Sequence, residues 1–248
     1  MLKRTRQQGF SLPELLIAMV LGVLLVSAVI NAYLATLNST NQNNQQAQLN
    51  HNLRASLDLI SSELKRAGGI VRPLALDSAQ FSQYGSNPFM DSTSNLTLWN
   101  AADNTLNCTN NLCDCVTYSY DRNLDGDPYN GGMNHFGFKL QNKGLKMRKG
   151  GAVAPGDVLN CSNGQWEGLT EDEVEITSFT LSYINAAGTV IAAPEQLDIT
   201  NTDTTCESGT NCLETRNIAI SITGSVGDYS LTVSNRVRVR NDRLFTVP

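Results

Sequence analysis

An α+β fold, with one long N-terminal helix laid on an antiparallel β-sheet, is what this sequence predicts. Three observations carry that reading. The densest apolar run of the 248-residue chain lies in its first 37 residues. Leucine and isoleucine then recur at helical spacing as far as a Gly-Gly pair. Everything beyond breaks into short β-branched and aromatic runs separated by Gly, Asn, Asp and Pro. Composition bounds the rest: 41% hydrophobic and 17% charged residues, with a mean hydropathy of −0.21, fit neither a disordered chain nor one with several membrane spans. With 18 Lys and Arg against 23 Asp and Glu, the net charge of −5 argues against a broad nucleic-acid surface.

Residues 1–9 carry Lys3, Arg4 and Arg6 and no acid, and residues 10–37 follow with a single charge, Glu14. The apolar stretch is about 20 residues long, enough to cross a bilayer core as a helix. Its basic flank should stay cytoplasmic, which puts the remainder on the far side. A secretory signal peptide predicts a small-residue cleavage site after a shorter apolar core, and Asn38-Ser39-Thr40-Asn41 supplies none. A plain anchor explains length and orientation, but not a carboxylate at the fifth place of an apolar run, where it is costly and needs a partner.

The run Gly9-Phe10-Ser11-Leu12-Pro13-Glu14-Leu15-Leu16 resembles the processing motif of type IV prepilins and type II secretion pseudopilins. The resemblance implies cleavage between Gly9 and Phe10 by a prepilin peptidase, N-methylation of Phe10, and a role in assembly for Glu14, whose charge a neighbouring subunit's terminal ammonium neutralises. Pro13 departs from the apolar residue often found there, but proline in a first helical turn is structurally cheap.

Residues 38–52 are rich in Asn and Gln and read as a solvated, weaker part of the same helix. Leu49, Leu53, Leu57, Ile60 and Leu64 then form one apolar face. Lys65 and Arg66 suit a helix C-terminus and Gly68-Gly69 stops it, so the helix is predicted over residues 11–67. Residues 70–94 read as loop. Strands are predicted at 95–99, 115–121, 135–140, 145–148, 174–184, 217–223 and 229–240, with hairpin turns at Asn142-Lys143-Gly144 and at 224–228. This layout also resembles pilins: a leader (1–9), a transmembrane or filament-core helix (10–37), a periplasmic amphipathic half (38–69) and a globular β-rich domain (70–248).

Cys108, Cys113, Cys115, Cys161, Cys206 and Cys212 all lie beyond the apolar segment, where an even count reads as disulfides. Cys206 and Cys212 bracket a short polar loop and are expected to pair. The group at 108, 113 and 115 supplies one local bridge and one longer bridge to Cys161. Cys113 and Cys115, at alternate strand positions, face opposite ways and are not expected to pair with each other.

Asp121, Asn123, Asp125 and Asp127, with Gly126 among them, match the front of a calcium loop, but the twelfth place is Gly132 and not a bidentate Glu. The incomplete ligand set weighs toward a plain polar turn, and no cofactor is expected. Arg236, Arg238 and Arg240 alternate along a strand. Loss of Lys3, Arg4 and Arg6 leaves 15 basic against 23 acidic side chains, so a subunit contact or solvated face suits the stripe better than DNA. His51 and His135 have no metal spacing and no nucleophile or nucleotide motif is present, so no enzyme activity is expected.

A looser resemblance, to PilW minor pilins, rests on Tyr118-Ser119-Tyr120-Asp121, Phe136-Gly137-Phe138, Gly144-Leu145 and Trp166-x-x-Leu169-Thr170. It implies an inner-membrane subunit that helps prime a type IV pilus or sits near its tip. The implied partners are other minor and major pilins, the inner-membrane assembly platform and a tip adhesin. A type II secretion pseudopilin similar to GspJ is the alternative, and a DNA-binding pilin ranks below it.

Overall fold

The computed structural model describes residues 11–70, 87–129, 132–151, 153–199 and 206–247. Two compact units divide at Ala47/Gln48, inside a single helix, α1, that runs Leu12–Leu64. The helix stops three residues short of the expected residue 67. Residues 65–68 turn instead, and Gly68 (φ 70°) passes its N–H to Ser119 O at 2.8 Å.

In the second unit, β1 (Thr97–Trp99), β2 (Cys115–Ser119), β3 (His135–Gln141), β4 (Gly144–Gly150) and β5 (Gln165–Gly168) form an antiparallel sheet in sequence order. A second sheet has the order β11-β10-β6-β7, from β6 (Glu175–Ile184), β7 (Val190–Ile191), β10 (Asn217–Val226) and β11 (Tyr229–Arg238). Strands β8 (Glu195–Asp198), β9 (Asn211–Thr215) and β12 (Arg243–Thr246) make a third, ordered β12-β9-β8. The first two sheets are spliced by paired hydrogen bonds between Cys113 and Leu181, at 2.8 and 2.7 Å.

The predicted helical face is the core. Leu49, Leu53, Leu57, Ile60 and Leu64 are buried against Tyr118, Phe136 and Phe138 of the first sheet and Phe179, Ile220 and Ile222 of the second. Each such side chain contributes about 1.5–3 kcal/mol on leaving water. Strand β10 alternates strictly, with Ile218, Ile220 and Ile222 facing in and Ala219, Ser221 and Thr223 facing out, as a one-sided sheet requires.

Two turn expectations resolve differently. Asn142 and Lys143 (φ 54° and 60°) make a two-residue turn between paired Gln141 and Gly144, of the kind whose twist matches a hairpin. The turn expected at 224–228 shrinks to Gly227-Asp228, because Val226 pairs with Tyr229. Gly224 belongs to β10: a Cβ there would sit 3.0 Å from Leu53 Cδ2, so the glycine serves close approach of the helix and not a turn. Strand β11 is not the last, and Arg240 lies beyond its end. Trp166, read as lying between strands, sits in β5.

Candidate assembly site and its surroundings

Gly9 and Phe10 lie outside the described residues. Ser11 caps the helix: Leu15 N–H donates to its carbonyl at 3.2 Å. Glu14 Oε2 accepts in return from the Ser11 N–H and Oγ–H, both at 3.1 Å. This is a capping-box arrangement, which satisfies a donor that a helix start otherwise leaves orphaned. Pro13 costs nothing here, because no N–H is needed in the first turn. Behind Glu14, sixteen large apolar side chains between Leu12 and Leu37 are each 46–78% exposed. The helix is long and apolar enough to cross a membrane, and an apolar surface this extensive requires lipid or partner helices to cover it.

The globular unit is built around its three disulfides. Cys108 pairs with Cys113, Cys115 with Cys161, and Cys206 with Cys212. The Cys108–Cys113 bridge lies at the splice between the first two sheets. Cys115–Cys161 fastens a covering segment across the outer face of the first sheet, packed with Trp99 and Trp166. Under that cover the face is polar. Trp99 Nε1 donates to Thr117 Oγ1 at 2.7 Å, and Lys139 Nζ donates to Cys161 O at 3.0 Å while sitting 4.2 Å above the Trp166 ring. Burial pushes the Lys139 ammonium below its ordinary pKa. Arg148 is fully buried and donates from Nη2 to Gly151 O at 3.1 Å.

The calcium-like residues fall in one loop, tied to itself. Asn123 Nδ2 donates to Asp125 Oδ2 (2.8 Å), the Asp127 N–H to Asp125 Oδ1 (2.9 Å), and Asn134 Nδ2 to Asn123 Oδ1 (3.0 Å). Among the described residues no group of three or more His, Cys, Asp or Glu side chains is placed to hold a metal ion. Asp121 is separated from that group by its burial, its N–H donating to Gly69 O at 2.8 Å. Arg236, Arg238 and Arg240 are exposed on one face, as their alternation predicts. His51 is exposed on the helix, and His135 is buried in β3.

Residues 42–240 match a family described as Prepilin peptidase-dependent protein B, and residues 4–30 match the Prokaryotic N-terminal methylation motif. The chain belongs to the prepilin peptidase-dependent protein B family. No curated protein and no solved structure matches it significantly. Membership fits the geometry at both ends: a prepilin-type helix whose apolar length is uncovered, and an α+β pilin-like unit stapled by disulfides. The methylation motif spans Gly9, Phe10 and Glu14, so the exposed helix is that of a prepilin-like membrane anchor.

Sequence reasoning missed two residues of the globular unit. Arg216 is fully buried, donating to Asn95 Oδ1 and to Asn241 O at 2.7 Å, with Glu214 4.0 Å from its Nε. Arg148 is the second. Arg148 stands between Lys146 and Lys149 in β4, and Arg216 follows Glu214 at the junction of β9 and β10, so hydropathy patterning assigns both to solvent. The capping role of Glu14 was legible in the Ser11-x-x-Glu14 spacing.

Proposed function

We propose that this chain is a minor pilin of a type IV pilus, of the PilW kind, which helps prime assembly or sits at or near the filament tip. It is held in the inner membrane by residues 10–37, with its N-terminus cytoplasmic and residues 70–248 periplasmic. Prepilin peptidase removes residues 1–9, and Phe10 becomes the N-methylated first residue. The observation that carries this reading is the uncovered apolar helix, headed by a methylation motif with a carboxylate at mature position five. In a filament the helix exchanges lipid for the helices of major and other minor pilins.

The cap geometry supports a role for Glu14. Its carboxylate already accepts from Ser11 N–H, one residue from the amine that cleavage creates at Phe10. A neighbouring subunit's ammonium offers a charged donor in place of that neutral one, and charge-assisted hydrogen bonds are the stronger kind. The chain contributes by assembly and not turnover. It docks on the inner-membrane platform, then beside other pilins, and presents its globular unit to a tip adhesin.

Intact mass of the protein from membranes of wild-type and peptidase-deleted cells tests the reading. Loss of residues 1–9 with gain of one methyl group, only where the peptidase is present, is expected; full-length protein in both strains overturns it. In a deletion strain, loss of twitching with intact secretion is expected. Intact twitching with lost secretion assigns the chain to a GspJ-like pseudopilin instead.

A further inference from the structure

On the side away from the core, the second sheet carries short uncharged side chains in rows across three strands. Ser182 of β6, Ala219 of β10 and Arg236 of β11 stand side by side, and so do Thr180, Ser221 and Ser234. Together they line a shallow hollow of about 610 Å³, with exposed Leu112 and Val190 beside them. That size falls within the roughly 300–1,000 Å³ of small-ligand sites. Among the described residues the hydroxyls of Thr180, Ser182, Ser221 and Ser234 have no hydrogen-bond partner. Ser182 is only 3% exposed, so its hydroxyl is an unpartnered polar group nearly withdrawn from water at the wall of the hollow. A polar group in that position is costly until something completes it.

Arg236 supplies the charge. Its guanidinium lies against the β6–β7 turn, where a Cβ on Gly188 (φ 87°) would collide with Nη1, and the small Ala219 beside it leaves that path open. Arg236 also lines a second hollow of about 260 Å³ with Asn185 and Asn217, and no carboxylate lines either one. Its neighbour Arg238 pairs with Asp242 at 3.0 Å, whereas among the described residues Arg236 makes no ion pair. Strands β6, β7, β10 and β11 contain a single acid, Glu175, which stands at the far end of the sheet opposite Ser225 and bonds Lys143 at 3.1 Å. Solvent-facing strands more often carry long charged side chains of both signs. Short ones let a ligand approach the pleat itself. Neighbouring strands are about 4.8 Å apart and same-face residues about 6.7 Å apart along a strand, so one flat ring spans more than one hydroxyl.

We propose that this outer face binds an acidic saccharide, whose carboxylate pairs with Arg236 and whose hydroxyls bond Ser182, Thr180, Ser221 and Ser234. A guanidinium fork takes a carboxylate through two parallel hydrogen bonds. Each serine or threonine hydroxyl both donates and accepts, as the hydroxyls of a sugar do. Ala219, Leu112 and Val190 meet the C–H face of the ring. A protein partner suits the face less well, because interface cores are rich in aromatic side chains and poor in serine, and no aromatic residue lines this hollow. Duplex DNA is opposed by the acidic remainder of the chain. The site lies wholly within the globular unit and does not depend on the pilin reading.

The test titrates the full chain, methyl-labelled and held in detergent micelles, with digalacturonate, with the neutral disaccharide galactobiose and with acetate. Digalacturonate is expected to give saturable shifts of the Leu112, Val190 and Ala219 methyl signals. Galactobiose lacks the charge and acetate lacks the hydroxyls, so each should bind at least tenfold more weakly. Arg236→Gln, at an exposed position, should weaken digalacturonate at least tenfold, and Ser182→Ala roughly two- to tenfold. Ala219→Leu raises the floor between Ser182 and Arg236 and should abolish the shifts. Absence of saturable shifts in wild type overturns the proposal, as does equal binding of galactobiose or of acetate. Full affinity in Arg236→Gln overturns it too, and so does duplex DNA shifting the same methyl signals more tightly than digalacturonate. If wild type ignores digalacturonate while Ala219→Leu is lost from sheared filaments, the face is a subunit contact and the saccharide reading falls.

Discussion

Acidification from pH 7 to pH 4 asks His135 to take a proton where the fold accommodates a neutral ring. The imidazole is fully buried on the outer face of the first sheet, and neither ring nitrogen has a hydrogen-bond partner. Burial pushes its pKa down to about 4; the Arg148 guanidinium adds to the effect and the Asp91 carboxylate opposes it. The unfolded chain takes up the proton near the ordinary value of about 6.5, so between those two pH values the unfolded state binds more protons than the native one. Stability from the neutral ring is therefore complete above about pH 6.5 and drains away as the pH falls to about 4. A gap from about 6.5 to about 4, at about 1.4 kcal/mol per tenfold, amounts to roughly 3 kcal/mol. Asp91 does not confuse the window. Burial raises its pKa, but hydrogen bonds from Thr93 and Ser94 outweigh that and hold it below the usual carboxylate value, so its contribution fades only at lower pH. The assay is urea unfolding of the protein and of His135→Gln at pH 7, 5.5 and 4. The expected result is that the wild type loses roughly 3 kcal/mol more than the variant across the series. Parallel losses in the two proteins would refute the reasoning.

Leu53→Ala, at a fully buried position against Gly224, should cost about 2–5 kcal/mol in a urea titration. A cost under 1 kcal/mol would mean that the helix is not seated on β10 as described. Cys161→Ser opens a bridge that spans 46 residues. The chain-entropy relation gives about 4 kcal/mol for a loop of that size, read as a lower midpoint with Cys115 blocked by alkylation. Millimolar calcium against chelator should leave the melting temperature unchanged, and a rise that disappears in Asp125→Asn would restore the metal reading of residues 121–127.

What the sequence made legible was what repeats at short range. The face from Leu49 to Leu64 is visible because one side of a helix meets one core at every turn. The Cys206–Cys212 bridge is visible because it closes a loop of only a few residues, whereas the group at 108, 113 and 115 left open which cysteine makes the local bridge and which reaches Cys161. Strands β5, β7, β8, β9 and β12 were not visible, because they are two to five residues long. Runs such as Glu195-Gln196-Leu197-Asp198 take their pairing from a neighbour and not from alternation against the core. Gly224 was misread because a glycine means a turn or a close approach, and only the helix opposite decides which. His135, Lys139 and Arg148 look like the solvent side of a sheet. Lys139 and Arg148 are buried because a segment distant in sequence, fastened by Cys115–Cys161, lies over them, and His135 packs beside the Tyr129 ring.

The same distinction governs the candidate assembly features. Gly9, Phe10 and Glu14 stand within six residues of one another, so a local motif carries them and the sequence displays it whole. The charged residues of the globular unit have no such motif. Lys65 and Arg240 become neighbours only because β11 runs back along the helix, and Glu171 joins the helix only through Gln48 and Asn52. A composition of 18 basic and 23 acidic side chains averages their placement to a modest net charge. Folding undoes the average, because the helix fixes which strand and loop residues stand beside its own. Net charge alone therefore says nothing of how the charges are distributed over the folded surface.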